Sequence, residues 1–311
     1  MTTKWKWISA AVLPAVLWSS VAMAFSDTAG DPAEAKIKSL QKDGILRGVN
    51  GDQFAPKQVL TYEQGIHLLV KAFNLNLDDI QFVKEPKASD YFSKVSDSAW
   101  YANDFVIAQF TLELGKDVNP KAPITREAYA HLLSKAIQQT GEYATILLYN
   151  IIEDENMIDP AASGSIQFLL NTKITKLDSA HKFRPKASIT RSEAADMLYE
   201  ARAFVTSHGG KLSAEPTPGE EDNSVTPEDE SALSVEAISP DVNKVTLTVT
   251  VPHPGYGVVI TGIQFTSDHK AIIRYKLTDP DPDMFYPMVL KDVKVSTYID
   301  KAYTPVAMLT K

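Results

Sequence analysis

Two arginines stand where a guanidinium group could bind an anion. Arg126 and Arg191 each follow a threonine, and each Thr-Arg pair opens a stretch with helical periodicity. The start of a helix carries unpaired amides and a partial positive charge, and a guanidinium adds two parallel donors, so this position suits a carboxylate. The alternative is that both arginines only pair with neighbouring glutamates or face solvent.

Three lysines and one tryptophan add candidate contacts. Lys57, Lys121 and Lys186 each follow a proline at corresponding points of the chain, where they either supply cations to a site or are solvated loop residues. Trp100, followed by Tyr101, has the flat ring that stacks on a sugar, but the sequence favours a packing role in the core.

Composition and motifs exclude several kinds of chemistry. The 311 residues include 31 Lys and Arg against 39 Asp and Glu, for a net charge of −8, which argues against nucleic acid as a partner. Cysteine is absent, which excludes disulfides, a thiolate nucleophile and cysteine-bound zinc. Asp279, Asp281 and Asp283 alternate as in a calcium loop, but Met284 and Leu290 replace the required Gly and Glu. No catalytic or nucleotide-binding motif is present, so we expect no enzyme activity, metal or cofactor.

The first 24 residues have the pattern of a secretory signal peptide. Lys4 and Lys6 precede an apolar stretch over 8–21, and Ala22-Met23-Ala24 is a cleavage signal. No other stretch is long and apolar enough to predict a membrane span. We therefore expect a secreted protein that begins at Phe25. The lack of cysteine is typical of a Gram-positive envelope.

One sequence unit occurs three times. The segments 54–61, 118–125 and 183–190 align without gaps, and their prolines are 64 and 65 residues apart. Each segment ends in a threonine suited to cap a helix of about 13 residues. A second helix is predicted upstream of each segment, over 33–42, 101–112 and 161–171. Neither helix of a unit can bury its apolar stripe alone, so we expect the three units to close into one body.

These residues resemble the S-layer homology (SLH) domain. The resemblance rests on the aromatic-x-Asp start at 25–27, the Gly-rich turn at 44–48, and the Ile-Thr-Arg sequences at 124–126 and 189–191. It implies three repeats over 25–80, 88–145 and 150–203 that form a pseudo-threefold helical trio. It also implies that grooves between the repeats bind secondary cell-wall polysaccharide, including pyruvylated forms.

The resemblance also implies which residues face the polysaccharide. Arg126 and Arg191 correspond to the ligand-facing cation of the family, and Tyr62 replaces that arginine in the first repeat. Whether all three grooves bind ligand is therefore open. The remaining candidate contacts are the three recurring lysines, Trp100 and Gly48 of the Gly-rich turn.

The composition changes after the third repeat. Residues 206–234 are acidic and rich in Pro and Gly, which predicts an extended linker crossed by few contacts, so that the two ends behave as independent bodies. Residues 235–311 alternate polar and apolar side chains, with strands predicted over 244–251, 258–265, 271–277 and 289–299. They predict a small antiparallel β domain and a multidomain α + β protein.

The β domain resembles the C-terminal domain of PrcB-type protease-complex subunits through residues 255–263 and 278–284. This resemblance implies a noncatalytic module that contacts another exported protein, such as a protease. The full interpretation is a noncatalytic cell-surface protein, anchored by its repeats, that displays this domain. Two alternatives remain open: a structural subunit associated with an S-layer, and a secreted hydrolase whose β domain is catalytic.

Overall fold

The computed structural model describes residues 25–310 apart from residue 51 and the ranges 78–79, 145–147, 213–231, 267, 282–283 and 288. The predicted signal peptide and most of the predicted linker lie outside the described residues.

Helices occupy the N-terminal part of the described chain. The first helix of each predicted unit forms as α1 (Glu34–Lys42), α4 (Ala102–Thr111) and α6 (Pro160–Asn171). The second forms as α2 (Tyr62–Ala72), α5 (Arg126–Gln138) and α7 (Arg191–Ser207). A short helix, α3 (Ala88–Tyr91), and a 3-10 turn (Glu155–Met157) lie near the start of the second and third units, ahead of α4 and α6.

The three segments that lead into the second helices join in a closed ring of backbone hydrogen bonds. The Leu60 amide donates to the Ile189 carbonyl over 3.0 Å, the Ile189 amide to Ile124 over 3.1 Å, and the Ile124 amide to Leu60 over 2.9 Å. All three side chains are fully buried. Each unit thus contacts both others in the same way, and the arrangement is cyclic.

Helix packing follows the same cyclic order. The second helix of each unit packs on the first helix of the next, in the pairs α2 with α4, α5 with α6, and α7 with α1. One continuous apolar core runs from Phe25 to Val205. It includes residues of all six long helices, so no unit has a core of its own.

The predicted threonine caps form unequally. Thr125 accepts a hydrogen bond from the Ala128 amide, and Thr190 accepts one from the Glu193 amide, both over 3.2 Å. Glu193 also accepts from the Thr190 amide, which completes the predicted capping box. At Thr61 the buried hydroxyl has no partner among the described residues.

The C-terminal part forms two three-stranded sheets. The strands are β1 (Ala232–Ala237), β2 (Val242–Val251), β3 (Gly257–Phe265), β4 (Lys270–Thr278), β5 (Lys291–Asp300) and β6 (Thr304–Leu309). One sheet has the order β1-β2-β5 and the other β3-β4-β6. Two small apolar clusters form the core of this domain, and both β2 and β4 contribute buried residues to each cluster.

Three sequence predictions for this part need correction. The prediction of a purely antiparallel domain is wrong, because the chain passes from β5 in one sheet to β6 in the other, where β6 runs parallel to β4. Both β1 and β6 are mostly exposed edge strands, so they lack the clean alternation by which the other four were recognised. The linker is shorter than 206–234, because α7 continues to Ser207 and β1 begins at Ala232.

The β domain contacts the helical part through residues 81–85, contrary to the expectation of independent bodies. The Val83 carbonyl accepts from the Asp300 amide over 2.5 Å, and the Gln81 side chain donates to the Ile260 carbonyl over 3.2 Å. The Tyr303 hydroxyl donates to the Glu85 carboxylate over 2.6 Å. These contacts come from the chain between α2 and α3, not from the linker, so the composition of the linker gave no signal of them.

Candidate functional site: three grooves between the helical units

The start of each second helix faces the loop and second helix of the next unit, which creates three equivalent grooves. Each groove is named here by the residue that follows the capping threonine. They are the Tyr62 groove between units one and two, the Arg126 groove between units two and three, and the Arg191 groove between units three and one. The backbone contacts at the helix starts are equivalent in all three, since the amides of Tyr62, Arg126 and Arg191 donate to the carbonyls of Ala122, Ala187 and Gln58 over 3.0, 2.8 and 2.9 Å.

In the Arg191 groove, the arginine side chain is buried and donates its hydrogen bonds to backbone carbonyls of the facing loop. Its Nε donates to the Phe54 carbonyl over 2.8 Å and its Nη2 to the Arg47 carbonyl over 3.0 Å. The guanidinium carbon lies 4.6 Å from the centre of the Phe54 ring, and Arg191 is only 8% exposed. Burial lowers the pKa of this guanidinium, and the charge of Asp27 opposes that shift. This environment favours the structural interpretation of Arg191, and its predicted ligand contact stays a prediction.

In the Arg126 groove, two guanidinium groups surround one carboxylate. Arg126 Nη1 donates to Glu193 Oε1 over 3.0 Å, and Arg184 Nη2 lies 3.7 Å from the same oxygen. Arg184 also lies 3.5 Å from Asp178, and its side chain is half-exposed. Buried Nε of Arg126 has no hydrogen-bond partner among the described residues, and the guanidinium carbon lies 5.3 Å from the centre of the Phe183 ring. Burial lowers the pKa of Arg126, an effect that Glu193 counteracts.

The Tyr62 groove is open. A cavity of about 470 Å³ lies between Tyr62 on one side and residues 112–118 of the second unit on the other. Ala128, His131 and Leu132 of α5 complete its wall. Tyr62 does not reach across to the facing loop as Arg191 does, so the space that Arg191 fills in its own groove is left empty here.

The three lysines differ because the residue facing each of them differs. Lys121 forms an ion pair with Glu63 of α2 over 2.7 Å, and Lys186 forms the equivalent pair with Glu127 of α5. For Lys57 the facing position is Ser192, and no ion pair to Lys57 occurs within the described residues. Two of the three predicted cations therefore hold neighbouring units together, and Lys57 alone keeps an exposed, unpaired charge in this part of the structure.

The sequence favoured a core position for Trp100, and this prediction is wrong. The residue lies just before α4 and is 60% exposed. It packs edge-on against His67 and Tyr101. His67 in turn contacts Asp104 over 2.8 Å. The exposed ring is compatible with the other predicted role, stacking on a sugar. Gly48 is exposed beside Arg47, on the rim of the Arg191 groove.

The structure adds residues that sequence reasoning missed. Arg184 belongs to the Arg126 groove. It follows Phe183 in the repeated segment 183–190, and this position could have indicated that it lines a groove. Asp27 accepts from the Phe54 and Ala55 amides over 2.8 and 2.7 Å, and Asp154 accepts from the Phe183 and Arg184 amides, both over 2.8 Å. Each aspartate thereby clamps the loop that faces an arginine.

Two other features bear on the class of site. Across the described residues, no group of three His, Asp or Glu side chains is placed to hold a metal ion. Among the helices of the same residues, none is long and apolar enough to cross a membrane.

Comparison with known proteins identifies the third unit. The chain is 25% identical over 179 residues to exoglucanase XynX of Acetivibrio thermocellus and 24% identical over 179 residues to an amylopullulanase of Thermoanaerobacterium thermosulfurigenes. These alignments cover 56% of this chain but only 16% and 9% of the two enzymes. Residues 152–195, which supply the Asp178, Phe183, Arg184 and Glu193 side of the Arg126 groove, match the S-layer homology domain, and this match indicates anchoring at a bacterial cell surface.

Proposed function

We propose that the helical region anchors the protein noncatalytically to secondary cell-wall polysaccharide of a bacterium, and that the Arg126 groove binds the acidic groups of that polysaccharide. One observation carries the proposal. The segment that matches the S-layer homology domain, 152–195, contains the loop and helix start that face Arg126. The family match therefore coincides with the groove in which two guanidinium groups surround one carboxylate.

The charges of the Arg126 groove suit a carboxylate ligand. Both guanidinium groups lie close to Glu193, and the two contacts of Arg184, 3.5 Å to Asp178 and 3.7 Å to Glu193, are too long for hydrogen bonds. A ligand carboxylate, such as that of a pyruvyl ketal, would give Arg184 the bidentate partner it lacks. Because Arg184 is half-exposed, it can turn toward such a ligand without opening the core.

We further propose that all three helical units are S-layer homology repeats in a pseudo-threefold trio. The proposal is supported by the closed ring of hydrogen bonds through Leu60, Ile124 and Ile189. The aligned 179 residues also exceed one repeat by a wide margin. In this arrangement the first two units supply the structural partners that the third needs to bury its apolar faces.

The anchoring function is tested with the full chain and purified sacculi. The wild-type protein should sediment with sacculi and remain in solution once the wall polysaccharide has been extracted. Arg126→Ala together with Arg184→Ala should weaken binding at least tenfold, since each removes a charge-assisted contact of roughly 1.5–3 kcal/mol. Arg274→Ala, which removes a guanidinium from the β domain, is the matched control and should bind like wild type.

Two outcomes contradict parts of this function. Undiminished sedimentation after extraction would overturn polysaccharide as the ligand. Unchanged binding of the double variant would overturn the Arg126 groove as the acidic site. Ordered arrays of the purified protein in electron micrographs would instead favour the alternative of an S-layer-associated subunit.

We propose that the β domain is a noncatalytic module for an exported protein partner, such as a protease. The supporting observation is the loop between β4 and β5, where Phe285 is 97% exposed and Met284 and Leu290 are also exposed. This loop packs closely on Gly255, since a Cβ there would lie 2.7 Å from the Tyr286 ring and 2.8 Å from Pro280. The apolar side chains are thus presented on a supported loop.

The test compares Phe285→Ser with wild type in capture of proteins from the culture supernatant. We expect wild type to retain a protease and the variant to lose it. Hydrolase activity of the purified full chain on wall polysaccharide would instead support a catalytic β domain.

A further inference from the structure

The β domain has two ends that differ in their contacts. The short turn 301–303 joins β5 of one sheet to β6 of the other, so this turn and the β3–β4 turn beside it lie at the same end. The loop between β4 and β5, which carries the exposed Phe285, lies at the opposite end. Since β5 has 10 residues and a strand rises about 3.3 Å per residue, the two ends are roughly 30 Å apart.

The helical region contacts the β domain through residues 81–85, which bridge its two sheets. The Gln81 side chain donates to the Ile260 carbonyl of β3 over 3.2 Å, and the Val83 carbonyl accepts from the Asp300 amide of β5 over 2.5 Å. Because β3 and β5 belong to different sheets, one short segment holds both sheets where they meet. These contacts lie away from the loop between β4 and β5.

A tyrosine beside these contacts adds a polar interaction. The Tyr303 hydroxyl donates to the Glu85 carboxylate over 2.6 Å, and the Tyr303 ring packs against Phe265 of β3 with 4.7 Å between ring centres. Burial, together with the hydrogen bond to Glu85 and the charge of that residue, raises the pKa of Tyr303 to about 12. The hydroxyl therefore stays protonated at physiological pH and remains a donor.

The segment 81–85 is itself fixed to the helices. Phe82 packs edge-on against Phe110 of α4, and Phe110 packs in the same way against Tyr91 of α3, with 5.2 Å between ring centres in both pairs. A contact with this segment is therefore a contact with the body of the helical region.

A small gap remains between the two parts. Its volume is about 200 Å³, and its lining includes Leu77 and Ile107 of the helical region and Ile263 and Phe265 of β3. This volume is below the roughly 300 Å³ at which small-molecule sites begin, so the gap belongs to the contact and is not a ligand site. Docking within one chain needs few contacts, since covalent connection raises the effective concentration of each part near the other.

We infer that residues 81–85 dock the β domain on the helical region in one fixed orientation, with the Phe285 loop at the end opposite the contacts. The inference rests on the proposed function for the role of that loop. A partner bound at Phe285 is then held roughly 30 Å from the docking contacts. The polysaccharide anchor and the partner site thus keep a constant geometry.

The experiment uses the full chain. Because the sequence has no cysteine, spin labels attach only at cysteines that are introduced. Lys87→Cys places one label at an exposed position beside the docking segment, and Lys291→Cys places the other at the exposed start of β5, toward the Phe285 end. Electron–electron double resonance then measures the distribution of distances between the two labels.

The docking contacts are removed by a triple variant, Gln81→Ala with Phe82→Ala and Tyr303→Phe. The last substitution deletes the hydroxyl and keeps the ring that packs on Phe265. Tyr298→Phe, which deletes an exposed hydroxyl elsewhere on β5, is the matched control. Thermal melts identify any variant in which either part is not folded.

We expect one narrow distance distribution for wild type and for Tyr298→Phe, and a distribution about twofold broader for the triple variant, in which the β domain is held only by a flexible connection. A broad distribution in wild type, or a folded triple variant with a distribution as narrow as that of wild type, overturns docking by residues 81–85. The proposed function fails by different measurements, namely sedimentation with sacculi and the effect of Phe285→Ser on protein capture.

Discussion

The Arg191 and Arg126 grooves begin from the same Thr-Arg sequence, yet their arginines have different partners. Arg191 donates to two backbone carbonyls, whereas Arg126 pairs with Glu193. The facing residue, three positions after the capping threonine of the next unit, explains the difference. It is Glu193 for Arg126 but the uncharged Gln64 for Arg191, so Arg191 turns to the loop carbonyls. The Thr-Arg sequence thus places an arginine at the start of a helix, and the residues of the neighbouring unit determine which partners that arginine has.

The largest expected effect is that of Arg191→Ala. The substitution leaves two carbonyls without their charged donor and removes the contact with Phe54, so the free energy of unfolding should fall by roughly 2–4 kcal/mol. Denaturant unfolding measures this change. Arg184→Ala, at a half-exposed arginine, is the control and should stay within about 0.5 kcal/mol of wild type. If Arg191→Ala lowered the free energy of unfolding as little as Arg184→Ala, the buried contacts of Arg191 would not stabilise the fold, and the contrast between the two grooves would fail.

Thr190→Ala separates the cap from the arginine beside it. Loss of the hydrogen bond from the Glu193 amide should cost about 1 kcal/mol, less than Arg191→Ala. Thr61→Ala should cost less again, since the Thr61 hydroxyl accepts no such bond within the described residues. Thermal melts rank the stabilities of the three variants. If Thr190→Ala lowered stability more than Arg191→Ala, the ligand-facing interpretation of Arg191 would be favoured.

Glu193→Gln tests whether the facing charge controls Arg126. Glutamine also serves in a capping box, so the helix start should persist while the ion pair is lost. We expect a loss of about 0.5–1 kcal/mol in stability, measured by denaturant unfolding in low salt. The same measurement in high salt should narrow the gap between variant and wild type, and a gap that does not depend on salt would assign the effect to the cap.

The smallest effect concerns acid sensitivity of the loop that holds Arg191. Burial tends to raise the pKa of Asp27, but hydrogen bonds from the Phe54 and Ala55 amides and the charge of Arg191 outweigh it, so the pKa is lowered. A lowered pKa in the folded state stabilises the protein above the unfolded value near 3.8, and this contribution is lost as the pH falls through the folded value. Asp27→Asn should therefore be less stable than wild type at pH 6 and approach it below pH 3. Unfolding curves across this range check the prediction, and parallel curves would contradict it.

The helical region and the β domain also differ in how much the sequence revealed. The repeated unit and its helices were predicted, since helical periodicity acts within a few residues. All three threonine caps were predicted as well, and the side-chain hydrogen bond forms at two of them, Thr125 and Thr190. In the β domain, four strands were predicted from alternation, but the exposed edge strands β1 and β6 were not. Their pairing is decided by distant strands, as in the parallel register of β6 with β4.

The sequence by itself determined that three similar units exist, where their helices begin, and which residues occupy the equivalent positions. Only the tertiary structure decided that Arg191 is buried, that Arg126 and Arg184 share Glu193, that Trp100 is exposed, and that the Tyr62 groove is open. The physical reason is the distance along the chain between partners. Arg126 and Glu193 are 67 residues apart, and Arg191 and Phe54 are 137 residues apart. Each groove therefore forms only when the units pack in a ring, and a local sequence pattern does not predict that packing.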